Sequence, residues 1–138
     1  MRVAAPRILV VDDDRDYVET MSLLLQADGY RVQTACDGER ALQALREQQT
    51  AVVLTDLAMP VLDGYRLLTA IRAEPACRNA LVVAISGWGG RETPKRCSEA
   101  GFDAYFVKPC DLRELLWTIA AGLARQRRPD DPGRVPPA

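Results

Sequence analysis

No histidine occurs anywhere in the 138 residues, and lysine occurs only twice, as Lys95 and Lys108. The first absence removes a Ser-His-Asp triad, a histidine-ligated metal and a phosphohistidine carrier together. The four cysteines, Cys36, Cys77, Cys97 and Cys110, form no C-x-x-C pair. A zinc site and a disulfide framework are therefore not expected, and free thiols in a reducing compartment are. No strong charge of one sign is present either. The net charge of -1 lacks the basic excess that a nucleic-acid-binding body carries. No apolar stretch approaches the ~20 residues of a membrane span, and the short run after Met1 to Pro6 is too brief for a signal-peptide core. A cytoplasmic location with no membrane and no DNA partner is the expectation.

What remains is ordinary globular material, 48% apolar and 27% charged, of a length that suits one domain. Its most informative feature is where its apolar runs stop. Ile8-Leu9-Val10-Val11 stops at Asp12 and Asp13, and Val52-Val53-Leu54-Thr55 stops at Asp56. Leu81 to Ile85 stops at Ser86, and Tyr105-Phe106-Val107 stops at Lys108. Short runs rich in Val and Ile, separated by helical patterns, read as buried parallel strands. Ligands bind at the carboxyl edge of such a sheet, so these polar residues are expected to converge there.

The helical patterns lie between the strands. Asp14 to Asp28 carries Val18, Met21, Leu24 and Leu25 at helical spacing, with Gly29 as a stop. A second strand over Tyr30 to Ala35 leads to a helix with Ala41, Leu42 and Leu45 on one face. Leu67, Leu68 and Ile71 mark a third helix, and a weaker fourth runs from Thr93 to Ala100, closed by Gly101. Asp111 with Glu114 fits a capping box that opens a last helix, whose stripe is Leu112, Leu115, Leu116, Ile119 and Leu123. Five strands alternating with five helices imply a doubly wound α/β fold. Its expected limits are an extension over 1–6, a domain over 7–125 and a Pro-rich, disordered tail over 126–138.

Three carboxylates gathered at one sheet edge repel one another, and Lys108 supplies a single balancing charge. A hard divalent cation resolves this, and Mg²⁺ fits best because it takes a few carboxylates and accepts phosphate oxygens. Asp56 is the candidate nucleophile toward phosphorus. Phosphoryl transfer spreads charge over equatorial oxygens. The metal, the Lys108 ammonium and the Ser86 hydroxyl can each hold one.

At these residues the sequence resembles the receiver domain of two-component response regulators. The resemblance rests on Val10-Val11-Asp12-Asp13-Asp14, on Thr55-Asp56-Leu57-Ala58-Met59-Pro60 through Asp63-Gly64, on Ser86-Gly87, and on Val107-Lys108-Pro109. It covers about Arg7 to Leu123 and implies a flavodoxin-like five-stranded sheet in the order 2-1-3-4-5, with helices on both faces. It also implies that Asp56 takes a phosphoryl group from a histidine kinase or phosphotransfer protein. Asp13, Asp56 and the Ala58 carbonyl would hold Mg²⁺, and Asp12 a coordinated water. Ser86 and Tyr105 would be the switch pair, Lys108 would contact the phosphate, and the Lys108-Pro109 bond would be cis. Trp88, two positions after Ser86 in a glycine-rich loop, reads equally as a partner contact or gate and as a residue packed on the local surface.

Two residues depart from the commonest family pattern. Ala58 offers no polar side chain to orient an attacking water, and Cys110 stands where a bulky apolar residue is frequent. The implied readout is the surface of the fourth helix, fifth strand and fifth helix, toward an unnamed downstream protein, as a monomer or a phosphorylation-dependent homodimer. A stand-alone switch is expected, since no helix-turn-helix pattern follows Leu123. A receiver segment of a hybrid kinase or a phosphorelay intermediate is the alternative. A small haloacid-dehalogenase-like phosphatase using Asp12-Asp13-Asp14 is a weaker one, because Arg15-Asp16 does not match it. A degenerate, binding-only receiver is disfavoured by the intact acids and Lys108.

Overall fold

A computed structural model describes residues 5–87, 90, 91 and 93–126. Trp88, most of the stretch read as an extension, and residues 127–138 of the expected tail lie outside the described residues.

The strands are β1 (Arg7–Val11), β2 (Arg31–Ala35), β3 (Val52–Thr55), β4 (Leu81–Ser86) and β5 (Ala104–Val107). All pair in parallel, in the order β2-β1-β3-β4-β5. The helices are α1 (Arg15–Ala27), α2 (Gly38–Glu47), α3 (Gly64–Ala73), α4 (Thr93–Ala100) and α5 (Leu112–Gln126). The expected α/β architecture and strand order are thus present. Chain order reverses between β1 and β3, which opens a crevice at their carboxyl ends.

The sheet is buried on both faces because its strands alternate between two cores. Leu9, Val11, Val53, Val82 and Ala84 pack with α2, α3 and α4. Ile8, Val10, Val52, Leu54, Val83 and Ile85 pack with α1 and α5. Central strands β1, β3 and β4 are buried almost throughout, whereas the edge strands β2 and β5 are half-exposed.

Aspartates start most of the helices. Asp14 Oδ1 accepts from the Asp16 and Tyr17 N–H groups, Asp37 caps α2, and Asp63 caps α3. Asp111 Oδ1 accepts from Arg113 and Glu114 N–H at the start of α5. Such caps satisfy the orphan donors of a first turn. At the other ends, Gly29 and Gly101 take φ of 95° and 107°, which only glycine adopts without strain.

Three local readings differ from the structure. Leu24 is 40% exposed, because about 100° per residue carries it away from the Val18-Met21-Leu25 ridge. Ser86 is the last residue of β4 rather than the first residue beyond it. Helix α5 includes Gln126, one residue into the stretch read as tail; its side-chain amide donates to the Asn79 carbonyl.

Candidate functional site

Residues Val11 and Thr55 are register partners, so Asp12 and Asp56 leave the sheet side by side. The Asp56 N–H donates to Val11 O at 3.0 Å and ties the two exits together. Asp12, Asp13 and Asp56 each bring a carboxylate oxygen into a cluster whose members lie within 4.8 Å of one another. Asp12 is buried, Asp13 exposed and Asp56 intermediate. Asp14, the last of the acidic run, takes no part in this cluster, because its carboxylate is spent as the α1 cap.

Lys108 approaches from β5, past the end of β4, where its N–H donates to Ser86 O at 2.9 Å. Its Nζ donates to Asp12 Oδ2 at 2.5 Å and to Asp56 Oδ2 at 3.4 Å. The Lys108-Pro109 peptide is cis. Asp12 Oδ1 accepts from Asp14 N–H, while Asp56 Oδ1 accepts from Leu57 and Ala58 N–H. Burial pushes the Asp12 carboxyl above its ordinary range; the Lys108 and Asp14 hydrogen bonds oppose this without cancelling it. Burial pulls the Lys108 ammonium down, but its bonds and charges with Asp12 and Asp56 outweigh that, and its pKa is raised.

All donors in the cluster are hard oxygens, and one ammonium cannot balance three carboxylates. At an effective dielectric near 20, carboxylates about 5 Å apart repel by about 3 kcal/mol per pair. The donor set and the charge excess both fit Mg²⁺, which binds through one or two carboxylates, carbonyls, waters and phosphate oxygens.

Ser86 is fully buried at the end of β4, one strand from Asp56. Tyr105 is the register partner of Ala84 and is half-buried against the α2-α3-α4 core. Alternation along β4 puts Ser86 and Ala84 on one face, so Ser86 and Tyr105 share it. Ala58 is exposed beside Asp56.

A groove of about 610 Å³ opens between the loop after β3 and α4, with Ser86, Ala58 and Asp63 among its lining residues. Arg96 stands over the Tyr65 ring, 4.3 Å from its centroid. The loop itself is strained. Val61 has φ of 69°, and Leu62 N–H bonds Pro60 O at 2.8 Å across it, the pattern of the rare γ-turn. Positive φ is costly for a β-branched residue. Val61→Gly is expected to stabilise the fold by about 1 kcal/mol, after glycine's own entropy cost. Urea unfolding reads this directly, and an unchanged or lower midpoint would contradict it.

Reading strand ends alone missed Tyr17. Its ring lies beneath the Lys108 ammonium, 4.2 Å from Nζ to centroid. The available signal was its position four residues after Asp13, in the first turn of α1.

A family model described as the response regulator receiver domain matches residues 8–120. The transcriptional regulatory protein PrrA of Mycobacterium tuberculosis is 38% identical over 124 residues, which cover 90% of this chain and 52% of that protein. The chain thus spans about half the length of that relative. An uncharacterized 14.6 kDa protein of Leptolyngbya boryana is 31% identical over 109 residues, 79% of this chain and 83% of that one. A putative response regulator from Chloroflexus aurantiacus superposes with a TM-score of 0.82 at 30% identity, covering 88% of this chain and 99% of the other. The Vibrio cholerae chemotaxis protein CheY4 does so at 0.79 and 28% identity, with coverage of 86% and 98%.

Proposed function

The chain belongs to the response regulator receiver domain family, and from that membership we propose that Asp56 is its phosphoacceptor. Receiver domains are signalling modules rather than enzymes, and they bind Mg²⁺ at an acidic pocket of the kind formed by Asp12, Asp13 and Asp56.

The observation that carries the reading is the side-by-side exit of Asp12 and Asp56 with one ammonium bonded to both. A carboxylate oxygen of Asp56 attacks phosphorus in line. The bond from phosphorus to the donor's imidazole nitrogen breaks, and the nitrogen leaves with the electron pair and takes a proton from solvent. Asp13, Asp56 and the Ala58 carbonyl would hold the metal, with Asp12 on a coordinated water; the ion supplies charge neutralisation at the transferring oxygens. Lys108 contacts another phosphoryl oxygen, and the Ser86 hydroxyl meets a third. The new charge of about -1.5 to -2 draws Ser86 and its loop inward, and Tyr105 follows on the same sheet face. A partner reads the change through α4, β5 and α5. The donor is a histidine kinase or phosphotransfer protein, and the chain works alone or as the receiver part of a longer protein.

Two details weigh against the phosphatase alternative. Asp12, its required nucleophile, is buried and bonded to Lys108, and the Asp14 carboxylate is engaged at the α1 cap.

Incubation with acetyl phosphate and Mg²⁺ is expected to add one phosphoryl group, located at Asp56 by mass spectrometry of peptides. Asp56→Asn is expected to stay unlabelled. Equal labelling of that variant would remove Asp56 from its role, and turnover of a phosphomonoester that survives the substitution would revive the phosphatase.

A further inference from the structure

Lysine 108 reaches its acids from an edge strand on a long, rotatable side chain, and 20% of that side chain is exposed. Holding such a chain in one rotamer costs side-chain entropy, so a neighbour must offset that loss. Tyr17 is placed to do so. Its ring face lies 4.2 Å from Nζ. The ring's quadrupole attracts a cation more strongly where water is excluded.

Tyr17 is also tied to the cap of its own helix. Its N–H donates to Asp14 Oδ1 at 3.3 Å, in the cap that directly follows Asp12 and Asp13. The first turn of α1 therefore carries the ring at a set offset from the acid pair. The ring packs against the α1-α5 core, where Cys110 also packs. Its hydroxyl is buried near the Cys110 thiol. The aromatic face is the part of Tyr17 turned to the ammonium.

We propose that Tyr17 is a positioning residue that holds the Lys108 ammonium against Asp12 and Asp56, so that the phosphoryl group meets an oriented cation. This rests on the phosphoacceptor reading for its functional consequence. The placement of the lysine stands apart from that reading.

The chain has only two lysines, and Lys95 is 82% exposed in its side chain, so lysine-selective ¹³C labelling of the whole protein gives a two-site spectrum with an internal reference. In the unaltered chain and in Tyr17→Phe, the Lys108 ε-methylene is expected to be ordered. In Tyr17→Leu its order parameter should fall toward that of Lys95. Labelling of Asp56 at saturating acetyl phosphate and Mg²⁺ should slow roughly tenfold in Tyr17→Leu and hold in Tyr17→Phe, with half-saturation unchanged. Tyr17→Met serves as a second ring-free variant should leucine fail to fold. The proposal is overturned if Lys108 stays ordered without the ring, if phenylalanine behaves as leucine does, or if the lysine loosens and labelling keeps its rate. Should the unaltered chain take no phosphoryl group at all, the phosphoacceptor reading falls, and the lysine order parameters still decide on Tyr17.

Discussion

Replacing Lys108 by methionine is expected to slow labelling of Asp56 by roughly 10²–10³-fold, the usual loss when one preorganised donor to a developing charge is removed. The same substitution should destabilise the metal-free protein. The ion pairs of Asp12 and Asp56 among the described residues are with Lys108, and Asp12 is buried. Breaking a fully buried pair from one side costs about 3–5 kcal/mol, but Lys108 and Asp56 keep some solvent contact, which lowers the expectation to about 2 kcal/mol. The two effects separate in Mg²⁺. A ligand that binds only the folded state adds about 2.7 kcal/mol at a hundredfold excess over its Kd. Removing the ammonium that competes for Asp12 and Asp56 makes the cluster more negative, so Mg²⁺ should raise the Tm of Lys108→Met more than that of the unaltered chain. Thermal melts with and without Mg²⁺ measure this. Equal Mg²⁺-induced shifts would mean that Lys108 and the metal do not share these carboxylates.

The gathering of the acids and the lysine at one edge was legible in the chain itself, and the reason is topological. In a parallel sheet every strand delivers its next residue to one edge, so Asp12, Asp56, Ser86 and Lys108 could be assembled by noting where apolar runs end. The start of α5 was legible at Asp111 for a related reason, since the short Asp side chain satisfies first-turn N–H groups. What escaped was anything set by rotation or by the approach of one element to another. Leu24 has the composition of a core residue and the angular position of a surface one. Division of labour within Asp12-Asp13-Asp14 depends on where α1 starts, which one residue of slippage would change. Tyr17 beneath Lys108 and Arg96 over Tyr65 are contacts across α1–β5 and α3–α4. No periodicity in one element reports the azimuth of its neighbour. Burial at the strand ends was similarly hidden: Asp12 and Ser86 are as enclosed as the core, although their residue types suggest a rim.

Gly64→Ala is expected to lower stability by about 3 kcal/mol or more and to cut labelling of Asp56 by over tenfold, because one added methyl group reaches the phosphoacceptor's own backbone. A Cβ at Gly64 would sit 2.3 Å from Asp56 O and 2.9 Å from Leu57 Cα. Neither atom belongs to a side chain that can swing aside. Gly64 N–H also bonds Leu57 O at 2.9 Å, so α3 and the Asp56 exit are held at contact distance. Relief requires moving α3 away, which strips Leu67, Leu68 and Ile71 from the core, or moving Asp56, which displaces its carboxylate from Asp12 and Lys108. Overpacking of a site that can relax costs about 1–3 kcal/mol; a backbone clash at a helix start lies at or above that range. Gly122→Ala provides the contrast. Its Cβ would meet Leu81 Cδ2 at 2.6 Å, a side-chain tip that can change rotamer, so a smaller loss is expected, with labelling unchanged. Gly87→Ala meets nothing within 4 Å among the described residues and should leave stability unaltered. Urea unfolding of the three variants, each paired with acetyl phosphate labelling, orders them. If Gly64→Ala kept both stability and labelling, the close approach of α3 to Asp56 could not be what holds the phosphoacceptor in place.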